Sequence, residues 1–268
     1  MSDQVVATVA LALLCGGLGL LVPALIARVP EPEPVTTDDA VAEQDVPLPT
    51  VLPAAPSGSS PSTPAAPTVD DEGPKEPYVD IARLPGLVWR AALASAAAGA
   101  LVGWSVGATW DLLPLVPLVP VSVALAVVDW RTRLLPTKVI APTYLVTIAL
   151  TLVTWLVTGG TDDLVRAFWG WLVAGGIFFV LWFVHPRGLG YGDVRLAGLL
   201  GIALGHLGWG ELLVGVYGGF LLGGVGGGLL SLLRVVERKA FPFGPFMLVA
   251  ALMGVWIGEP VLDGLVTG

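Results

Sequence analysis

Apolar residues in this chain do not alternate with polar ones; they come in blocks. The first runs from Val5 to Ala27, and seven more follow at about 84–108, 112–128, 139–158, 164–184, 194–207, 211–233 and 245–262. A helix rises about 1.5 Å per residue, so a block of about 20 residues matches a bilayer core of ~30 Å. The pattern predicts an all-α fold, a polytopic transmembrane bundle of about eight membrane helices. The 194–207 block is the short one, and length alone leaves it between a full span and a re-entrant piece. Between the first two blocks the character changes. Residues 29–80 hold twelve of the chain's 23 prolines and almost no apolar run. Such a stretch cannot bury enough surface to offset its ordering entropy, which predicts a disordered, extended linker. The expected organisation is a membrane helix over 1–28, a Pro-rich acidic linker over 29–80 and a membrane-embedded domain over 81–268.

Charge sharpens this picture. Only 13% of residues are charged, against about 25% in soluble domains. The net charge of −8 is not spread evenly. Residues 29–80 carry eleven acids and one lysine, a net −10, which leaves +2 for the rest. With the amino terminus outside, residues 28–90, 129–138, 185–195 and 234–244 face the cytoplasm and hold twelve of the thirteen Lys and Arg, all but Arg166. This is the positive-inside asymmetry, and it argues for a true span at 194–207. The expected location is the inner (cytoplasmic) membrane, multi-pass, with the linker inside. The bilayer is the first partner; no nucleic-acid partner is expected. The first block has no basic residue before it and is followed by Arg28, so it reads as a retained helix rather than a secretory signal. The single cysteine, Cys15, can build neither a disulfide nor a Cys-based zinc site and reads as a buried thiol.

Ten acids lie outside the linker. Asp3, Asp111, Asp162, Asp163, Glu211, Glu259 and Asp263 fall at the outer side or in tails, where water solvates them. Glu237, in "RVVERK", reads as an exposed ion pair with its basic neighbours. Asp129 and Asp193 are different. One ends an apolar run, "VSVALAVVDW", and the other opens one, "GDVRLAGLLG", so both sit at the cytoplasmic boundary of a helix. Ionisable groups at such depth are costly and face a bundle interior or a wet cavity. Two unconnected helix-end carboxylates, Asp193 acting as an N-terminal cap, are the plain alternative. "GLGYGD" (188–193) puts glycines before Asp193, which allows a sharp entry into the helix and a close backbone approach. "DWRTRLLP" (129–136) follows Asp129 with a basic stretch and with Pro136, suited to the first turn of a helix. Two carboxylates a few ångströms apart do not both ionise easily. One is then a base for water and the other an acid for a peptide carbonyl, the chemistry of aspartyl peptide hydrolysis.

At these residues the sequence resembles the type IV prepilin peptidases, the GxGD membrane aspartyl proteases. "DWRTRLLP", "GLGYGDVRLAGLLG" (188–201) and "FPFGPFMLVAALMG" (241–254) carry the likeness, in the family's order, over roughly residues 110–255. The resemblance implies that Asp129 and Asp193 form the catalytic pair. It implies that Gly190 and Gly192 shape the loop, and that Phe243, Gly244 and Pro245 line or brace the site. It implies a prepilin or pseudopilin substrate, cut after a short basic leader on the cytoplasmic side, for assembly into a type IV pilus or a related secretion filament. No cofactor is implied. Thr137 stands where the family often has asparagine. The paired cysteines that accompany methylation in long members are missing, since the acidic linker takes their place; zinc and methyltransferase activity are therefore not expected. A GxGD protease acting on other membrane peptides, or a non-enzymatic scaffold or transporter, are the competing readings.

The remaining features read as architecture. Runs such as "GVYGGFLLGGVGGGLL" suit close helix contacts. His185 and His206 fall at opposite ends of the bundle and cannot share a metal; interfacial packing is expected for both. Trp110, Trp130 and Trp209 lie near helix ends, as in an interfacial belt. Arg131, Arg133 and Lys138 read as topology signals.

Overall fold

The computed structural model describes residues 2–31, 76–185, 189–226 and 242–267. Most of the 29–80 linker, Gly188 and the "RVVERK" segment with Glu237 lie outside the described residues. Among those described there is no strand. The helices are α1 (Ser2–Gly19), α2 (Val22–Ala27), α3 (Tyr78–Ala82), α4 (Leu87–Val106), α5 (Leu115–Thr132), α6 (Thr137–Thr158), α7 (Thr161–Val184), α8 (Tyr191–Leu207), α9 (Trp209–Phe220) and α10 (Gly244–Thr267). A short 3-10 turn, Trp110–Leu112, precedes α5, and a wider turn, Leu221–Gly226, extends α9. Residues up to Pro30 and from Glu76 onwards form one compact unit.

Six helical segments among the described residues are long and apolar enough to cross a membrane: Asp3–Ala27, Leu87–Val106, Trp110–Thr132, Thr137–Thr158, Thr161–Val184 and Gly244–Thr267. The two other apolar blocks are helical where they are described: α8 has 17 residues, and α9 has 12, followed by the Leu221–Gly226 turn. The fold is thus an all-α, polytopic membrane bundle. α8 is the most enclosed of its helices, buried at nearly every position from Val194 to His206.

The glycines explain how such helices pack. In hydrocarbon no hydrophobic force pulls apolar helices together, so close backbone contact does much of the work. α1 packs along α4, α7 along α8, and α9 along α10. A Cβ added at Gly99 of α4 would lie 2.7 Å from the Leu11 carbonyl oxygen of α1. One at Gly205 of α8 would lie 2.7 Å from the Arg166 carbonyl of α7, and one at Gly254 of α10 would lie 2.5 Å from the Glu211 carbonyl of α9. These are backbone-to-backbone contacts that no side chain can relieve by rotating. Gly201 meets the Gly170 backbone in the same way, its added Cβ 2.8 Å from the Gly170 carbonyl carbon and 2.9 Å from Ala174 Cβ. Gly201→Ala is therefore expected to destabilise the bundle by about 1–3 kcal/mol, as overpacking does. Unfolding in detergent, followed by tryptophan fluorescence, reads this as a lower midpoint; an unchanged midpoint rejects the close-packing account.

Helix direction alternates along the chain. Gly103 faces Ala7 and Gly19 faces Ala92, so α1 and α4 run antiparallel. The C-terminus of α5 and the N-termini of α6, α8 and α10 come to one end of the bundle. Cys15 is fully buried, with Sγ 3.7 Å from the Val116 carbonyl oxygen. Trp110, Trp130 and Trp209 are about half exposed near helix ends.

Candidate active site

Asp129 lies one turn before the end of α5. The helix stops because Arg133 takes a left-handed conformation (φ 56°), with its amide donating to the Asp129 carbonyl at 2.8 Å. The side chain of Asp129 is 4% exposed. Its Oδ2 accepts the backbone N–H of Gly244 at 2.9 Å. Gly244 is the first residue of α10, so the carboxylate caps the positive end of that helix. A Cβ at Gly244 would come 2.7 Å from the same oxygen. Pro245, next in line, has no N–H to leave unpaired in the first turn.

Asp193 is the third residue of α8 and is 8% exposed. Its Oδ2 accepts the N–H of Gly190 at 3.1 Å, while its own amide donates to the Gly190 carbonyl at 3.0 Å. This is the carboxylate half of a capping box; glycine has no side chain to return the other half. The role of the glycines differs from the sequence expectation in its cause. Gly190 has φ −73° and ψ 144°, an extended conformation open to most residues. What requires glycine is space. A Cβ at Gly190 would sit 3.1 Å from the Asp193 carboxylate, and one at Gly192 would sit 2.7 Å from Leu135 Cβ. The "GLGYGD" segment is thereby pressed against the "RLLP" connection that follows Asp129.

The helices that carry the two aspartates barely touch each other. Both instead pack against α6 and α10, which hold them in register. The carboxylates nevertheless lie within electrostatic reach, and the charge of Asp129 acts on Asp193. Each thus accepts one glycine amide from the backbone beside it.

Surrounding residues fix this arrangement. Pro136 does not enter the first turn of α6. It precedes that turn, extended at φ −66° and ψ 120°, with its carbonyl accepting the amides of Val139 and Ile140. Phe243 packs against Phe178 of α7 and Phe220 of α9, with centroids 5.9 and 6.4 Å away, and so braces the start of α10. Sequence reading missed a further link. Arg195, two residues past Asp193, donates to the Thr137 hydroxyl and lies 4.5 Å over the Tyr191 ring. Tyr144 of α6 donates to the Arg195 carbonyl at 2.8 Å. These contacts tie α6 to the first turn of α8, and nothing in a separation of 58 residues along the chain signals such a pair. The exposed pair Arg131–Glu76, at 3.2 Å, adds little stability in water.

His206 also differs from expectation. His206 is 3% exposed, not interfacial, with Nε2 3.3 Å from Asp111 Oδ1. Asp111, Asp163, Glu211 and Glu259 share a polar cavity with it at the far end of the bundle.

Residues 116–232 match the type IV leader peptidase family. A prepilin leader peptidase/N-methyltransferase of Pseudomonas aeruginosa is 29% identical over 172 residues, which is 63% of this chain and 58% of that protein. The protein of the same description from Pseudomonas putida is 31% identical, over 60% of this chain and 55% of its own length. Leader peptidase HopD of Escherichia coli is 35% identical, over 35% of this chain and 64% of its own. The chain therefore spans less than two thirds of each of these relatives. No solved structure matches. The matched region begins on the helix of Asp129 and contains Asp193 and the loop before it, and over these residues the chain is similar to the type IV leader peptidase family.

Proposed function

We propose that this protein is a prepilin leader peptidase, a membrane aspartyl endopeptidase whose catalytic pair is Asp129 and Asp193. The observation that carries the reading is the pair itself. Two buried carboxylates from separate helices lie within electrostatic reach at one end of the bundle, each with a single glycine amide on one oxygen. In this reading the pair holds one proton between them. The ionised member takes a proton from water as the water oxygen bonds to the scissile carbonyl carbon. The protonated member gives its proton to the carbonyl oxygen. The tetrahedral diol then collapses: the C–N bond breaks, the amine leaves with a proton, and the pair is restored. No cofactor enters these steps. Because the pair acts as a unit, no separate role is fixed to either residue.

The substrate class follows from the relatives and from charge. A prepilin or pseudopilin offers a short basic leader followed by an apolar helix, and the cut falls at their junction. With the amino terminus outside, the aspartates, the "DWRTRLLP" stretch and the linker face the cytoplasm of an inner-membrane protein. Gly190, Gly192, Pro136, Phe243, Gly244 and Pro245 shape the site around the pair. The relatives' second activity is not part of the proposal, since the chain has one cysteine, and it is buried.

The test is mass spectrometry of a pilin precursor co-expressed with this protein. The expected product begins immediately after the leader's terminal glycine and carries no added methyl group. Cleavage inside the apolar helix would instead indicate a protease of other membrane peptides. An intact precursor with well-expressed protein would reject peptidase function.

A further inference from the structure

The helices of Asp129 and Asp193 barely touch, so other contacts must set the distance between the two carboxylates. At the site end those contacts come from the connection into α6. An added Cβ at Gly192, the residue before Asp193, would lie 2.7 Å from Leu135 Cβ. Thr137, the first residue of α6, accepts a hydrogen bond from the guanidinium of Arg195, two residues after Asp193. Asp193 is therefore held on both flanks by the segment into which Asp129 itself leads.

α6 has a second hold on the same residue. The Tyr144 hydroxyl donates to the Arg195 carbonyl at 2.8 Å. Tyr144 stands about 10 Å along the helix from Thr137, so one end of Arg195 is fixed through its side chain and the other through its main chain. Gly198 leaves the room this needs: an added Cβ there would fall on the Tyr144 hydroxyl and 3.2 Å from Trp171 Cδ1 of α7. Tyr191, which opens α8, completes the clamp. Its ring centroid is 4.5 Å from the Arg195 guanidinium carbon and 4.9 Å from the Trp182 ring of α7.

A basic residue that served only as a topology signal would need its charge and no fixed partner. Arg195 also stands near the N-terminus of α8, the end at which the helix dipole disfavours a cation. Its geometry asks for a further reason. Residues two apart on a helix do not face each other, so Arg195 points away from Asp193 and acts on it through the backbone. We propose that Arg195 is a positioning residue of the peptidase: anchored by Thr137 and Tyr144 of α6, it fixes the first turns of α8 so that Asp193 stays within reach of Asp129. The proposal rests on the peptidase reading and adds to it the residues that set the pair.

Cleavage kinetics of a pilin precursor by the purified full chain in detergent test this. Thr137→Val keeps the shape of the side chain and every charge, and removes only the acceptor. Misplacement of a reacting group by about 1 Å can cost about 10²-fold, so kcat should fall between about tenfold and 10²-fold, with KM within about twofold. Thr137→Ser, which keeps the hydroxyl, should restore the rate. Arg195→Met should lower kcat similarly, and Arg195→Lys should recover most of the loss. Both losses act through one bond, so the double variant Thr137→Val with Arg195→Met should be no slower than Arg195→Met alone. Thr137 is exposed, so Thr137→Val decides the matter even where Arg195→Met is too unstable to assay. Cleavage by the unaltered protein with kcat unchanged in Thr137→Val would reject the positioning role alone. So would a change confined to KM, which would make Arg195 a substrate contact, or equal losses in Thr137→Ser and Thr137→Val. An unaltered protein that cleaves no precursor would reject the peptidase reading, and the positioning role with it.

Discussion

Replacing either Asp129 or Asp193 with asparagine should cut leader cleavage by roughly 10²–10⁴-fold, the usual worth of a positioned acid or base. The substitution changes almost nothing else. An asparagine oxygen can still accept from Gly244 or Gly190, so helix capping and the fold survive. What is lost is the ability to take and return a proton. In the proposed mechanism the two carboxylates act as one unit, so the double variant should be scarcely worse than either single one. The measurement is a cleavage rate on a pilin precursor, with protein level and detergent stability checked in parallel. Wild-type processing by either single variant would remove that residue from the mechanism. A double variant that loses the product of the two single effects would show that they act independently.

Enlarging Gly244 should do nearly as much harm from outside the pair. A Cβ there would lie 2.7 Å from Asp129 Oδ2 and 3.2 Å from its Cγ. Either the carboxylate turns away and loses its amide donor, or the start of α10 moves back from α5. Misplacement of a reacting group by about 1 Å can cost about 10²-fold, so Gly244→Val is expected to lower kcat by that order. KM should change far less, since leader recognition is not the function of this contact. Gly264 on the same helix has nothing within 4 Å of an added Cβ. Gly264→Val is the matching control and should retain full activity. Equal activity of the two variants would mean that the Gly244 amide does not position Asp129.

The two effects differ in how far the sequence foretold them. That Asp129 and Asp193 are unusual could be read directly. Each sits at the edge of an apolar block where charge is costly, and the Lys and Arg distribution puts both at the same membrane face. That Gly244 donates to Asp129 could not be read, because the bond joins positions 115 residues apart. The likeness around "FPFGP" pointed to the residue without giving its role. The Arg195–Thr137 link and the His206 cavity were not foreseen for the same reason. Periodicity speaks about neighbours on one helix, not about which helix ends converge.

The glycines show the division most clearly. Composition alone determined that helices here would pack closely, since a bilayer offers small residues and close backbones as the means of association. Hydropathy alone determined an all-α bundle, because unpaired backbone groups cannot be exposed to lipid. Only the tertiary structure decided what each glycine is for. At Gly190 and Gly192 the need is room beside a carboxylate and a leucine, not an unusual φ. It also decided that the two aspartate helices meet through shared neighbours, α6 and α10, rather than through each other. Excluded volume between distant segments sets such facts, and a one-dimensional pattern carries no record of it.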